Sequence, residues 1–115
     1  IIDTYNQNEK VTYEIYINNV EFSPEHIVPL GLLINELTTN SLKHAFVNRE
    51  DGLISLSIEN IDGKVTFTYK DNGTWKEGRI GSFGTDLIEM LAEQLNAKKT
   101  FFTDEKGTTY KFLWE

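Results

Sequence analysis

Glu36, Asn40 and Lys43 stand at spacings of four and three within the stretch Leu30 to Phe46, LGLLINELTTNSLKHAF. On a helix those spacings bring side chains together on one side. The row offers a carboxylate, an amide and an ammonium, with His44 at its edge. Amide and carboxylate oxygens are hard ligands suited to Mg²⁺, which binds through few protein oxygens together with substrate phosphates. A lysine one turn on is a point charge for a phosphate. The row has the chemistry of a Mg–nucleotide site. It also has the look of an ordinary solvated helix face, the default for a surface helix. Other segments have to separate the two readings.

Asp71 is the next such position. Leu53 to Ile61 alternates, with Ile54, Leu56 and Ile58 inward, and Asp62-Gly63 is a strong hairpin signal. Lys64 to Lys70 pairs back with Val65, Phe67 and Tyr69 inward, and Asp71 continues that parity. A carboxylate following three core residues is costly to bury without a partner. It accepts hydrogen bonds only, so it suits an exocyclic amine such as that of adenine. Gly73 beside it lets a base approach the backbone. The loop onward to Phe83 holds Gly73, Gly78 and Gly81, and Gly84 opens a second helix whose N–H groups can face phosphate.

The elements that must carry these residues follow from periodicity. Residues 1 to 10 are polar after Ile1-Ile2 and give little signal. Val11 to Ile17 alternates as a half-buried strand, with Val11, Tyr13, Ile15 and Ile17 on one face. A short extended piece runs through Phe22. Ser23-Pro24-Glu25 reads as a helix start with a hydroxyl N-cap, proline at the first position and an early acid. Pro29 interrupts the first turn, so the main helix is expected from Leu30. Its sheet-packing face is Leu30, Ile34, Leu37, Ser41 and Ala45, opposite the polar row. A second helix, about Gly84 to Asn96, has the stripe Leu87, Ile88, Leu91 and Leu95. Lys98 to Thr103 and Thr108 to Trp114 form a closing pair turned at Glu105-Lys106-Gly107. The order predicts an α+β fold of two layers, a sandwich with its helices on one face of a mixed, mostly antiparallel sheet.

The 115 residues suit one domain, 1–115, and the start at Ile1 suggests a piece of a longer protein. A net charge of −7 argues against nucleic acid as a partner. The chain has no cysteine, which removes disulfides, thiolate metal sites and a cysteine nucleophile. No apolar run reaches membrane-spanning length and no signal-peptide pattern appears, so no membrane contact is expected and the domain is expected in the cytoplasm.

With these residues in view, the chain resembles the catalytic, ATP-binding domain of sensor histidine kinases in the GHKL (Bergerat-fold) superfamily. The motif Asn35-Glu36-Leu37-Thr38-Thr39-Asn40-Ser41-Leu42-Lys43-His44-Ala45-Phe46 is similar to the N-box of the HWE-like subtype. Asp71-Asn72-Gly73 resembles the first glycine box, Ser82 to Leu87 the second, and Gly107-Thr108 the terminal Gly-Thr. The resemblance implies ATP and Mg²⁺ as cofactors. Asn40 would coordinate Mg²⁺, with Glu36 as a second candidate ligand and as the counterpart of the superfamily's general base. Lys43 would contact phosphates and His44 the sugar or base. Asp71 would accept from the adenine amine, helped by Thr108 through water, and Gly73 and Gly84 would shape the pocket. The catalytic pair would be Glu36 and Lys43. The implied partners are a histidine-bearing dimerisation domain of the same protein, which carries the phosphoacceptor, and a response regulator.

Two departures stand out. The first glycine box has Trp75 where a second glycine is usual, and the second box reads Ser82-Phe83-Gly84-Thr85 in place of Gly-x-Gly-Leu. These, with a short loop between the boxes, bear on lid closure and phosphate grip more than on base recognition. Two other readings keep the fold: a GHKL-type ATPase with Glu36 as base for water, and a non-catalytic regulatory module.

Overall fold

A computed structural model describes residues 2–8, 11–46, 51–73 and 85–115; nothing is described for the side chains of 2–8, 44, 45, 85 and 86. Six strands form one sheet in the order β1-β2-β3-β4-β6-β5. They are β1 (Ile2–Asn8), β2 (Val11–Asn18), β3 (Gly52–Ile61), β4 (Lys64–Asp71), β5 (Lys98–Asp104) and β6 (Gly107–Trp114). Among the described strands only β2 and β3 are parallel, and α1 (Pro24–Asn40) lies between them in the chain, the crossover a parallel pair needs. The two-layer α+β expectation holds.

Alternation sets the register. Ile54, Leu56 and Ile58 on β3 stand opposite Asp71, Tyr69 and Phe67 on β4, and these meet Thr108, Tyr110 and Phe112 on β6. A central strand that buried a different parity would turn this whole set to the other face. Phe67 and Phe112 stack at 5.5 Å, and Phe112 continues to Tyr110 at 6.1 Å. Leu30, Leu33 and Leu37 of α1, Ile88 and Leu91 of α2 (Thr85–Gln94) and Leu95 just after it close the core from the helical side.

The helices differ from expectation in detail. α1 starts at Pro24 and runs through Pro29, which is buried within it, so the helix does not wait for Leu30. The proline forgoes one hydrogen bond to the preceding turn, while its ring joins the packed face. Ser23 sits at the N-cap with extended φ and ψ, yet its hydroxyl bonds no helix N–H. It pairs instead with His26 Nδ1 at 2.9 Å, and the His26 ring lies 6.2 Å from Trp114. His26 is thus a packing residue at the far end of the sheet from Asp71.

The packed face of α1 is also rotated from the expected one. Leu33 is fully buried and Ile34 only half-buried. Leu87, expected in the stripe of α2, is partly exposed. α2 ends in a Schellman turn, with Ala97 N donating to Ala92 O at 2.9 Å and Asn96 N to Glu93 O at 3.0 Å. Asn96 takes the left-handed conformation that this motif requires, φ +59°. The first ten residues hold the one strand that periodicity missed: β1 pairs antiparallel with β2, with a bulge between Asn6 and Asn8. The expected extended piece before Phe22 is not a strand.

Candidate functional site

The site is built where one cross-strand row meets the end of α1. Tyr13, Ile54, Asp71, Thr108 and Thr103 occupy that row from β2 to β5 on the helical face. Asp71 is 5% exposed and Thr108 2%, so the predicted burial of the carboxylate holds. Thr103 Oγ1 and Thr108 Oγ1 lie 3.2 Å apart, which ties the two outer strands at this level.

Asp71 has the partners that burial demands. Ser41 Oγ donates to its Oδ2 at 2.6 Å, and Gly73 N donates to its Oδ1 at 3.1 Å. Ser41 Oγ is also 2.5 Å from the Tyr69 hydroxyl, which donates to Leu37 O at 3.1 Å. Burial pushes the Tyr69 phenol well above its ordinary value; the Ser41 bond opposes this and the Asp71 charge adds to it. Tyr110, on the same face, is pushed up to about 12, mainly by burial and then by Asp71. Both phenols keep their protons at neutral pH.

Ser41 is where helix and sheet join. α1 gives way there to a π turn, Ser41–Ala45, a feature frequent at functional sites. Asn40, immediately before it, is 7% exposed and lies beside the packed face, not opposite it as expected. Glu36 is half-buried and Lys43 exposed. The polar row is therefore graded, from a buried amide to a solvent-facing ammonium. Gly73 is buried beside Asp71. Asn72, between them in sequence, points to the other side and pins the strand ends. It accepts from Leu53 N at 2.7 Å and donates to Asp51 O at 3.0 Å.

Of the predicted site residues, Asp71, Gly73 and Thr108 are brought together by register, and Asn40 is joined to them in the chain through Ser41. Gly84, together with Trp75, Gly78, Gly81, Ser82 and Phe83, lies outside the described residues, as does the His44 side chain. Ser41 and Tyr69 were missed. Both were read as core positions, which they are; the signal was a hydroxyl pair on faces that converge on an inward carboxylate. A groove of about 410 Å³ opens at this end of the sheet, lined by Glu14, Ser55, Lys70 and Phe102 and also by Asp71 and Thr108. The first four have outward parity, so the groove extends over the helix-free face from the strand ends that carry the site.

The row can do specific chemistry. A buried, hydroxyl-bonded carboxylate recognises a donor such as an amine. A buried amide and a half-buried carboxylate one helical turn apart form a small, hard donor set. That set fits Mg²⁺, which keeps most of its ligands as water and phosphate oxygens.

No family model matches the chain. Over 70 residues it is 34% identical to an anti-sigma F factor of Clostridium botulinum, covering 58% of this chain and 49% of that protein. Over 93 residues it is 33% identical to a serine-protein kinase of Listeria innocua, covering 64% and 59%. The chain spans about half the length of the first of these and under two thirds of the second. Among solved structures, a blue-light activated histidine kinase of Erythrobacter litoralis superposes with a TM-score of 0.82 at 24% identity, over 92% of this chain and 35% of that one. The histidine kinase domain of the same protein matches with a TM-score of 0.73 at 27% identity, over 86% and 53%.

The chain thus has the fold of histidine kinase catalytic domains. The resemblance drawn from the N-box-like motif stands: the chain is similar in fold to a histidine kinase and in sequence to proteins named as an anti-sigma F factor and a serine-protein kinase. No described helix is long and apolar enough to cross a membrane.

Proposed function

We propose that this domain binds Mg-ATP and transfers its γ-phosphoryl group to a histidine on a helical acceptor domain, from which a response-regulator aspartate receives it. The observation that carries the reading is Asp71: a buried carboxylate at the end of a central strand, fixed by a hydroxyl and a backbone N–H. Its role is to accept from the adenine amine, with Thr108 beside it on the paired strand. Asn40 and Glu36 are the residues to hold Mg²⁺. When bound, the ion offsets phosphate charge, the electrostatic contribution phosphoryl transfer depends on. Lys43, exposed in the π turn, reaches outward to a phosphate. Glu36, one turn before Asn40, would accept the proton on the acceptor histidine's other ring nitrogen and so raise the nucleophilicity of the attacking one.

A second reading is favoured by one finding. Among the relatives is a protein named as a serine-protein kinase, so the acceptor atom is a serine oxygen in that case. Labelled ATP separates the two. The domain is incubated with Mg²⁺ and either a histidine-bearing helical acceptor domain or a serine-bearing protein substrate. We expect acid-labile, base-stable label on the helical domain, lost in Glu36→Gln with ATP binding retained. Acid-stable label on the serine substrate would favour the second reading. ADP release with no label on either, abolished by Glu36→Gln, would make the domain an ATPase.

A further inference from the structure

We propose that Ser41, backed by Tyr69, is a positioning residue that sets the selectivity of Asp71 for an amine-bearing base. The inference rests on the adenine reading above and adds to it a proton chain. Ser41 and Tyr69 are almost fully buried, at 0% and 1% exposure. Each brings one hydroxyl proton, whereas an ionised carboxylate brings none. Two short contacts have to be served, Ser41 to Asp71 at 2.6 Å and Ser41 to Tyr69 at 2.5 Å.

The acceptor-only carboxylate fixes the first assignment. The Ser41 proton goes to Asp71 Oδ2, since the carboxylate can only accept. The contact between the hydroxyls then takes the Tyr69 proton as a three-centre bond, shared between Ser41 Oγ and Leu37 O, to which Tyr69 donates at the longer distance of 3.1 Å. Burial keeps that phenol protonated, so the donor is always present. The chain runs Tyr69 to Ser41 to Asp71.

The direction has a consequence for the base. A carboxylate held by donors on both oxygens cannot turn, and it presents acceptors only. It attracts an exocyclic amine. It repels a carbonyl oxygen at the same ring position, where two acceptors would face one another. Without the Ser41 hydroxyl, Oδ2 loses a charge-assisted bond in a buried setting and the carboxylate is held less firmly in its plane. Selectivity for the amine should fall while contacts to sugar and phosphates stay as they were.

Calorimetric affinities for Mg-ATP and for Mg-purine riboside triphosphate, the same nucleotide without the amine, test this. They are measured on wild type, Ser41→Ala and Tyr69→Phe. Wild type is expected to prefer ATP. Ser41→Ala should weaken ATP binding about 10-fold, the size of a hydrogen bond to a charged group, and leave the analogue unchanged. Tyr69→Phe should move ATP in the same direction by less, and it keeps the ring, so it decides the matter if Ser41→Ala does not fold. Equal losses for both nucleotides would show a merely structural role and overturn the inference. An ATP preference unaltered in both variants would overturn it too. A wild type that binds neither nucleotide, or both alike, would remove the adenine reading and this inference with it.

Discussion

Gly107 shows how closely the site depends on single residues. Its φ of +147° is a region that side chains rarely adopt, and an added Cβ would stand 1.9 Å from Asp71 O and 2.9 Å from Asn72 Cα. Backbone sets both distances, so no side chain can swing away. Gly107→Ala is expected to cost on the order of 1–3 kcal/mol, measured by urea denaturation, and to weaken ATP binding by disturbing the Asp71–Thr108 pair. An unchanged urea midpoint would contradict the close approach. Asp71 itself was legible in the sequence because strand parity carried it inward. Thr108 came only from the resemblance, since a threonine after a turn has many ordinary reasons to be there. The Ser41–Asp71 bond was not legible: the residues are 30 positions apart, and nothing local in either segment states that their faces meet.

At the scale of elements, β3, β4, β6 and α2 were readable because one face of each is apolar with a clean period. β1 was not, because a polar edge strand earns its place through backbone pairing with β2 and shows no alternation of its own. α1 was misread at both ends for physical reasons. A proline six residues into a helix usually marks a boundary, but Pro29 is buried against the core and the helix passes through it. At the other end, taking Leu30, Ile34 and Leu37 as the packed face placed Asn40 opposite it. Asn40 instead flanks Leu33 at the edge of that face, and the wider π turn begins one residue later. This is how a helix that looks amphipathic delivers an amide inward and a lysine outward within four residues. The parts of the expected site that depend on the glycine-rich loop lie outside the described residues.

At the scale of the molecule, the sheet keeps a buried phenol, Tyr69, and a half-buried one, Tyr110, neutral, and this has a measurable cost at high pH. Tyr69 and Tyr110 are both raised in the folded state, by burial first. An unfolded tyrosine titrates near 10. Their contribution to stability is therefore complete below about pH 10 and is lost as pH rises through the folded values, about 12 for Tyr110. Urea midpoints should hold steady up to about pH 9 and fall steeply above 10, with Tyr110→Phe flattening part of that slope. A midpoint that does not change between pH 9 and 11 would contradict the burial of these phenols. The most direct test of the whole account is the affinity for Mg-ATP of wild type against Asp71→Asn. The substitution keeps the size of the side chain and removes the charge and one acceptor that define the row. The account predicts micromolar-to-millimolar binding by the wild type, on the order of 10- to 100-fold weaker in Asp71→Asn. Equal affinity in the two proteins, or no binding by the wild type at millimolar nucleotide, would contradict it and leave a domain with a kinase fold but a different use for its buried carboxylate.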